Sequence, residues 1–200
     1  MLRNFNLEKT YQYLLISLAF LMPLTVFGAN LIIVLIVLLW LISGSYRNKF
    51  NLIIQSKLLL ASIIFFGLHI VGLFWTNDMD WGIHIVRKMW YFLLLFPVLY
   101  TIVIKENIHK YVASFLLAIT ITEILSYLIW FEIIEPFKNA TVYNPTPFMS
   151  HISYNPILAF AIYIVLHRLI VQRDIGKIQM FLYGFFGFSM SINMFITGGR

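Results

Sequence analysis

The chain has 200 residues, of which 61% are hydrophobic and only 11% are charged. A water-soluble domain of this length could not bury so much apolar surface in one core, so the composition excludes a soluble globular protein and indicates a lipid-embedded one. The net charge is +6, but the basic residues lie between apolar runs and form no dense patch, which argues against a nucleic-acid partner. The lack of cysteine excludes disulfides and cysteine metal ligands.

Apolar runs recur along the whole chain, and no alternating strand-like pattern competes with them. A helix needs roughly 20 apolar residues to cross a hydrocarbon core of about 30 Å. The sequence therefore predicts an all-α fold, a polytopic transmembrane helical bundle that forms a single domain over residues 1–200 with about seven crossings. The predicted helices cover approximately residues 11–27, 30–43, 57–75, 83–104, 111–131, 154–171 and 178–196.

The first apolar run follows Arg3 and Lys9 as in a secretory signal, but Val26 and Phe27 precede the plausible cut where a small-x-small pair is required, so we interpret the run as a retained anchor. Residues 11–43 form either one long tilted helix or two short ones. Two helices with a cytoplasmic N-terminus put ten basic residues inside and four outside, whereas one helix gives six and eight. Because Pro23 and Gly28 also suit a turn, the sequence predicts two helices and a cytoplasmic N-terminus.

The segment 132–153 contains three prolines, which interrupt helices repeatedly. The charge distribution places this segment on the outer side of the membrane. We therefore expect an ordered or partly re-entrant outer loop there rather than another crossing.

Arg87 and Lys88 lie inside an otherwise apolar stretch, near the outer end of the fourth predicted helix. One interpretation is that both side chains reach the interface and pair with Asp78 or Asp80. The other is an outward-facing clamp for an anion such as a phosphate. Arg200 follows two glycines at the outer end of the seventh helix, where it offers further donors to the same kind of ligand.

Three other polar residues admit a structural and a functional interpretation. Glu123 lies in the middle of the fifth predicted helix, where it is either a hydrogen-bonded packing residue or a proton carrier. His69 has no acidic or histidine neighbour one turn away, so we expect a packing role and no metal site. His151 lies in the outer loop, where it either caps the next helix or acts as a base.

The last predicted helix carries Gly184, Gly187 and Ser191 at helical spacing. Small residues on one face let two helices approach closely. The pattern predicts close packing against a neighbouring helix.

Five short motifs stand out along the chain. They are the opening hairpin with Pro23 and Asn30, the Gly72-Leu73-Phe74-Trp75-Thr76-Asn77-Asp78 helix exit, the basic pair followed by Phe96-Pro97, the Pro147-Phe148 to Tyr154 stretch, and the Thr197-Gly198-Gly199-Arg200 ending. Together these motifs resemble the O-antigen ligase and polymerase family of bacterial inner membranes. The family has a serine-arginine pair where this chain has Gly199-Arg200.

The resemblance implies an enzyme that transfers a glycan from an undecaprenyl diphosphate carrier to a periplasmic acceptor such as the lipid A-core. It implies that Arg87, Lys88 and Arg200 hold the diphosphate without a metal or other cofactor. The family's candidate base is a histidine in a later outer loop, so we expect it beyond residue 200, with His151 as the candidate within this chain. On this interpretation the chain is the N-terminal half of a longer protein and is inactive by itself.

The sequence leaves alternative functions open. An O-antigen polymerase or a protein O-oligosaccharyltransferase shares the same patterns. A proton-coupled secondary transporter is the alternative from another class, with Glu123 as the proton carrier, although no internal repeat of the kind common in transporters is present.

Overall fold

A computed structural model describes residues 2–138, 140–171 and 176–198, with side chains from residue 7 onward. Over these residues the chain is helical and has no β-strand, only an isolated bridge between Thr141 and Asn144. The all-α prediction is therefore confirmed for the described part. The α-helices are α1 (Leu2–Leu21), α2 (Val26–Ile42), α3 (Tyr46–Gln55), α4 (Lys57–Gly72), α5 (Met79–Lys88), α6 (Phe96–Ile102), α7 (Ile108–Trp130), α8 (His151–Val171) and α9 (Lys177–Ile196).

Several helical segments are long and apolar enough to cross a membrane, as expected for a membrane protein. The described residues contain five such segments, and the α2–α3 pair, bent by 115°, raises the number to six if it forms one broken span. Helix α1 is not among them, and its first half carries Arg3, Glu8 and Lys9. The count of seven crossings and the cytoplasmic N-terminus remain predictions. The five segments are Lys57–Trp75, Met79–Ile102, Lys105–Trp130, His151–Val171 and Lys177–Ile196.

The chain divides into two compact units within the single domain that the sequence predicts. The first unit comprises Met1–Leu15 and Leu31–Ile108, and the second comprises Ile16–Asn30 and His109–Arg200. Helices α1 and α2 therefore each contribute residues to both units.

In the first unit, α4 packs against α3, α5 and α6. The segment predicted as one helix over 83–104 is interrupted: α5 ends at Lys88, a π-helical turn covers Tyr91–Leu95, and α6 follows. Pro97 explains part of the irregularity, because it has no N–H to donate to the preceding turn. The Ser62 hydroxyl of α4 donates to the Phe92 carbonyl in the π-helical turn at 2.6 Å and so stabilises it.

Helix α3 was not predicted, because its ten residues are too few for a membrane crossing. It follows Gly44 and Ser45, both of which have positive φ angles, 70° and 55°. Its sequence is amphipathic, and none of its residues is buried. An exposed amphipathic helix beside an apolar one is typical of a helix that lies along a membrane surface.

In the second unit, α7, α8 and α9 pack around an apolar core that includes Phe115, Ile119, Leu158, Val165 and Met190. Only part of the predicted small-residue face of α9 lies against a neighbouring helix. A Cβ at Gly187 would lie 3.5 Å from Val165 Cγ1 on α8, whereas one at Gly184 would meet nothing within 4 Å.

The connection between α7 and α8 contains no helix in its described residues, as predicted for a loop. It covers residues 131–150 rather than 132–153, because α8 begins at His151. Pro156 lies in the second turn of α8, inside the helix, where it cannot donate to the Ile152 carbonyl.

Candidate functional site

The two predicted phosphate-binding cations occupy the last turn of α5, in the first unit. Both Arg87 and Lys88 are exposed. The expected carboxylate partner has another role: Oδ1 of Asp78 accepts the backbone N–H of Trp81 at 2.9 Å and so caps the start of α5. No ion pair joins either cation to Asp78 or Asp80 in the described part of the chain. The pair is therefore open to an external anion.

The position of the pair differs from the prediction. Because Asp78 caps the helix, α5 begins at Met79 rather than near residue 83, and the cations lie about 12–14 Å along the segment Met79–Ile102. That is nearer to the middle of the segment than to its end. The helix macrodipole supplies a structural reason for their location, since cations are favoured at helix C-termini.

Arg200, the third predicted phosphate ligand, lies outside the described residues, as does Gly199. The start of the same motif is described. The hydroxyl of Thr197 is buried and donates to Oδ1 of Asn155 on α8 at 2.8 Å. Thr197 thus ties the end of α9 to the start of α8.

His151 is the first residue of α8 and is half-buried. The side-chain amide of Asn144 donates to its Nδ1 at 3.2 Å, and Oδ1 of Asn144 in turn accepts from the Thr146 hydroxyl at 3.1 Å. The contact links the loop to the helix start, as a structural role requires. His151 belongs to the second unit and the basic pair to the first, so their predicted common face remains a prediction.

Glu123 is the most buried ionisable carboxyl group of the described chain, with 4% of its surface exposed. The Ser189 hydroxyl of α9 donates to its Oε1 at 2.6 Å. One turn further along α7, the Tyr127 hydroxyl donates to the Ser189 backbone carbonyl at 2.8 Å. This small network joins α7 to α9 and gives Glu123 a satisfied hydrogen bond.

Further polar residues surround this network in the second unit. Thr122 of α7 and the Tyr154 hydroxyl of α8 lie 3.3 Å apart. Ser126 and Asn193 are fully buried, and within the described chain the Ser126 hydroxyl and the Asn193 amide have no hydrogen-bond partner. Buried polar groups without partners are uncommon and are frequently satisfied by ordered water.

Glu123 is evident from the sequence, but its partners are not among the predicted site residues. A usable pattern is present, because Ser189, Asn193 and Thr197 recur every four residues along and just beyond α9 and so share one helix face. Gly184, Gly187 and Ser191 lie on roughly the opposite face of the helix. There the Ser191 hydroxyl bonds to the Gly187 carbonyl of its own helix at 2.8 Å.

His69 has the local environment of a packing residue. Its Nδ1 lies 2.9 Å from the Phe65 carbonyl, and its ring packs edge-on against the Phe65 ring at 4.6 Å. Across the described residues, no three His, Cys, Asp or Glu side chains lie close enough together to hold a metal ion.

Comparisons with known proteins add no assignment to this picture. No family model matches the chain, and neither a curated protein nor a solved structure matches it.

Proposed function

We propose that the protein is a bacterial inner-membrane glycan transferase of the O-antigen ligase type. It moves a glycan from undecaprenyl diphosphate to a periplasmic acceptor, the lipid A-core or another sugar. The observation that carries the proposal is the exposed pair Arg87 and Lys88, which has no carboxylate partner in the described chain and lies within a segment apolar enough to span a membrane. Unpaired cations in such a segment are a functional feature by default.

The chemistry of the reaction explains why such a pair is needed. The acceptor hydroxyl attacks the anomeric carbon of the donor sugar, the bond from that carbon to the phosphate oxygen breaks, and the hydroxyl proton passes to a base. Negative charge grows on the departing diphosphate. Arg87 supplies a planar fork of donors and Lys88 a compact charge, which together stabilise that leaving group.

The remaining parts of the proposed site come from the resemblance. Arg200 would add a third cation, and the base would be a histidine beyond residue 200. Long basic side chains extend toward the membrane surface, so Arg87 and Lys88 can meet a headgroup phosphate from a backbone position deeper in the segment.

The test is charge removal in the full-length gene. Arg87→Gln, Lys88→Gln, their double variant and Arg200→Gln are expected to lower polymer attachment to the cell surface, with protein levels checked by immunoblot. Lys57→Gln is the matched control, since Lys57 is an exposed lysine at the start of another helix. Full attachment in the double variant and in Arg200→Gln would overturn the proposed clamp.

Within the family, gene deletion separates the possible reactions. Loss of a ligase leaves long chains on undecaprenyl diphosphate, whereas loss of a polymerase leaves single repeat units. Loss of a protein O-oligosaccharyltransferase removes glycan from protein and leaves the lipid A-core modified. We expect long chains on the carrier.

A proton-coupled transporter is the second candidate, and the buried Glu123 favours it. Its carboxyl accepts from Ser189 and has no hydrogen bond from a basic side chain of the described residues. Such a group can take up and release a proton during a transport cycle. If Glu123→Gln abolished proton-driven uptake in vesicles while glycan attachment stayed normal, the transporter would replace the transferase.

A further inference from the structure

A cavity of about 290 Å³ lies at one end of the first unit. Its wall is formed by α1, by the turn between α2 and α3, and by the chain that follows α6. Both a carboxylate and an ammonium group line it, from Glu8 and Lys49, together with the side chain of Tyr11. A cavity that carries both charges suits a ligand that carries both charges.

Lys49 is held in place by its surroundings. Its Nζ donates to the Trp40 carbonyl at 2.6 Å and to the Ser43 hydroxyl at 2.7 Å, and it lies 4.3 Å from the centre of the Trp40 ring. An ammonium group has three N–H donors. Two of them are used by these contacts, so one remains for a ligand in the cavity.

An apolar groove of about 380 Å³ lies along α3 beside this cavity. It is lined by Trp40, Tyr46, Arg47, Phe50 and Ile53. Lys49 connects the two spaces, because its ammonium group packs over the rings of Trp40 and Tyr46, which line the groove. A polar cavity that adjoins an apolar groove has the shape and chemistry of a phospholipid site.

The orientation of α3 supports a lipid as the occupant. The helix is amphipathic, turns by 115° from the apolar α2 and buries none of its residues. Such helices lie in the membrane interface, and tryptophan and tyrosine are enriched at the same depth. Headgroups are therefore at the level of the cavity.

We propose that the first unit binds one phospholipid whose headgroup combines a phosphate and a primary ammonium group, as in phosphatidylethanolamine. The phosphate accepts from Lys49, the ammonium group donates to Glu8, and one acyl chain follows the groove along α3. A purely anionic headgroup would leave Glu8 without a cation, and the quaternary ammonium of phosphatidylcholine has no N–H to donate to it.

Native mass spectrometry of the purified full-length protein tests the proposal. The protein is equilibrated with equal amounts of phosphatidylethanolamine, phosphatidylcholine and phosphatidylglycerol, and the retained lipid is identified. One phosphatidylethanolamine is expected to remain bound. Lys49→Gln and Glu8→Gln should each lower its retention by about tenfold, because each removes a bond to a charged group.

Lys57→Gln is the control, because Lys57 lines neither space. Glu8→Gln keeps the size of the side chain, so a loss of lipid in this variant with unchanged thermal stability cannot come from misfolding. Equal retention of all three lipids, or preferential retention of phosphatidylglycerol, would overturn the assignment.

Soluble glycerophosphoethanolamine separates the headgroup from the acyl chain. It shares the headgroup chemistry but leaves the groove empty, so it should raise the thermal unfolding temperature much less than the lipid does. Equal stabilisation by both would overturn the placement of an acyl chain in the groove.

Discussion

The hydroxyl of Ser189 donates a 2.6 Å hydrogen bond to Oε1 of Glu123, so α7 and α9 are joined by a polar contact in the interior of the second unit. The Tyr127 hydroxyl reinforces the contact through the Ser189 carbonyl. Hydrogen bonds between membrane helices stabilise the folded state only slightly on average, because the same polar groups also find partners in the unfolded state within the membrane. The contact therefore orients the two helices more than it stabilises them.

Removing the Ser189 hydroxyl should have a measurable but limited effect. We expect Ser189→Ala to lower the free energy of unfolding by about 0.6 kcal/mol, the average for hydrogen bonds between membrane helices, and by no more than about 1.7 kcal/mol, the maximum. Glu123→Gln should be milder, because the amide oxygen still accepts the serine proton. Reversible unfolding in mixed micelles measures both. A larger loss in Glu123→Gln than in Ser189→Ala would contradict the assigned contact.

The packing of α9 on α8 gives a second prediction within the same unit. Because a Cβ at Gly187 already lies 3.5 Å from Val165 Cγ1, Gly187→Leu forces the two helices apart and should cost about 1–3 kcal/mol. Gly184→Leu is the matched control on the same helix, since nothing lies within 4 Å of its Cβ position. Measurements of the free energy of unfolding of both variants test this prediction. Equal losses would mean that Gly184 also faces a packed surface.

The helices could be predicted largely from the sequence because lipid imposes a simple rule: a backbone in hydrocarbon must satisfy its own hydrogen bonds. Apolar length alone therefore located the cores of α4, α7, α8 and α9. The rule fails where a helix is short or irregular. Helix α3 is too short to register as a crossing, and the π-helical turn at Tyr91–Leu95 depends on Pro97 and on a tertiary bond from Ser62.

The candidate sites were predictable only in part, for a related reason. The rarity of charge in apolar sequence marked Arg87, Lys88 and Glu123 without any structure. Their partners depend on which helix faces which, and one sequence does not reveal that. The cavity beside Lys49 was missed because it is assembled from three distant segments, with Glu8 and Lys49 far apart in the chain.

Asp78 gives a third prediction, which separates its role as a helix cap from a role as an ion-pair partner. Its Oδ1 accepts the Trp81 N–H at the start of α5. Asp78→Ala should therefore lower the free energy of unfolding by about 0.5–2 kcal/mol, whereas Asp78→Asn should stay close to the parent, because asparagine caps helices equally well. Thermal unfolding measures both. If Asp78→Asn lost as much as Asp78→Ala, its charge would matter, and Arg87 and Lys88 would not be open to an anion.

His151 gives the last prediction, which distinguishes a positioning role from proton transfer. Asn144 donates to its Nδ1 at 3.2 Å, so the two residues act as one link between the loop and α8. We expect His151→Ala and Asn144→Ala to lower glycan attachment to a similar extent, and the double variant to lose little more, because residues that share one contact are not additive. Limited proteolysis of residues 131–150 should show the same loosening in all three.

A general base would behave differently from such a link. Removing it costs roughly 10²–10⁴-fold in rate, and the loss appears in kcat rather than in KM. On that model His151→Ala would be far more damaging than Asn144→Ala, while the loop stayed protected from protease. The structure favours the link, because Nδ1 accepts from the Asn144 amide, which puts the proton of the neutral ring on Nε2 and leaves neither ring nitrogen free to accept one. Initial-rate measurements on the three variants, in the full-length protein, therefore decide whether the base must be sought elsewhere.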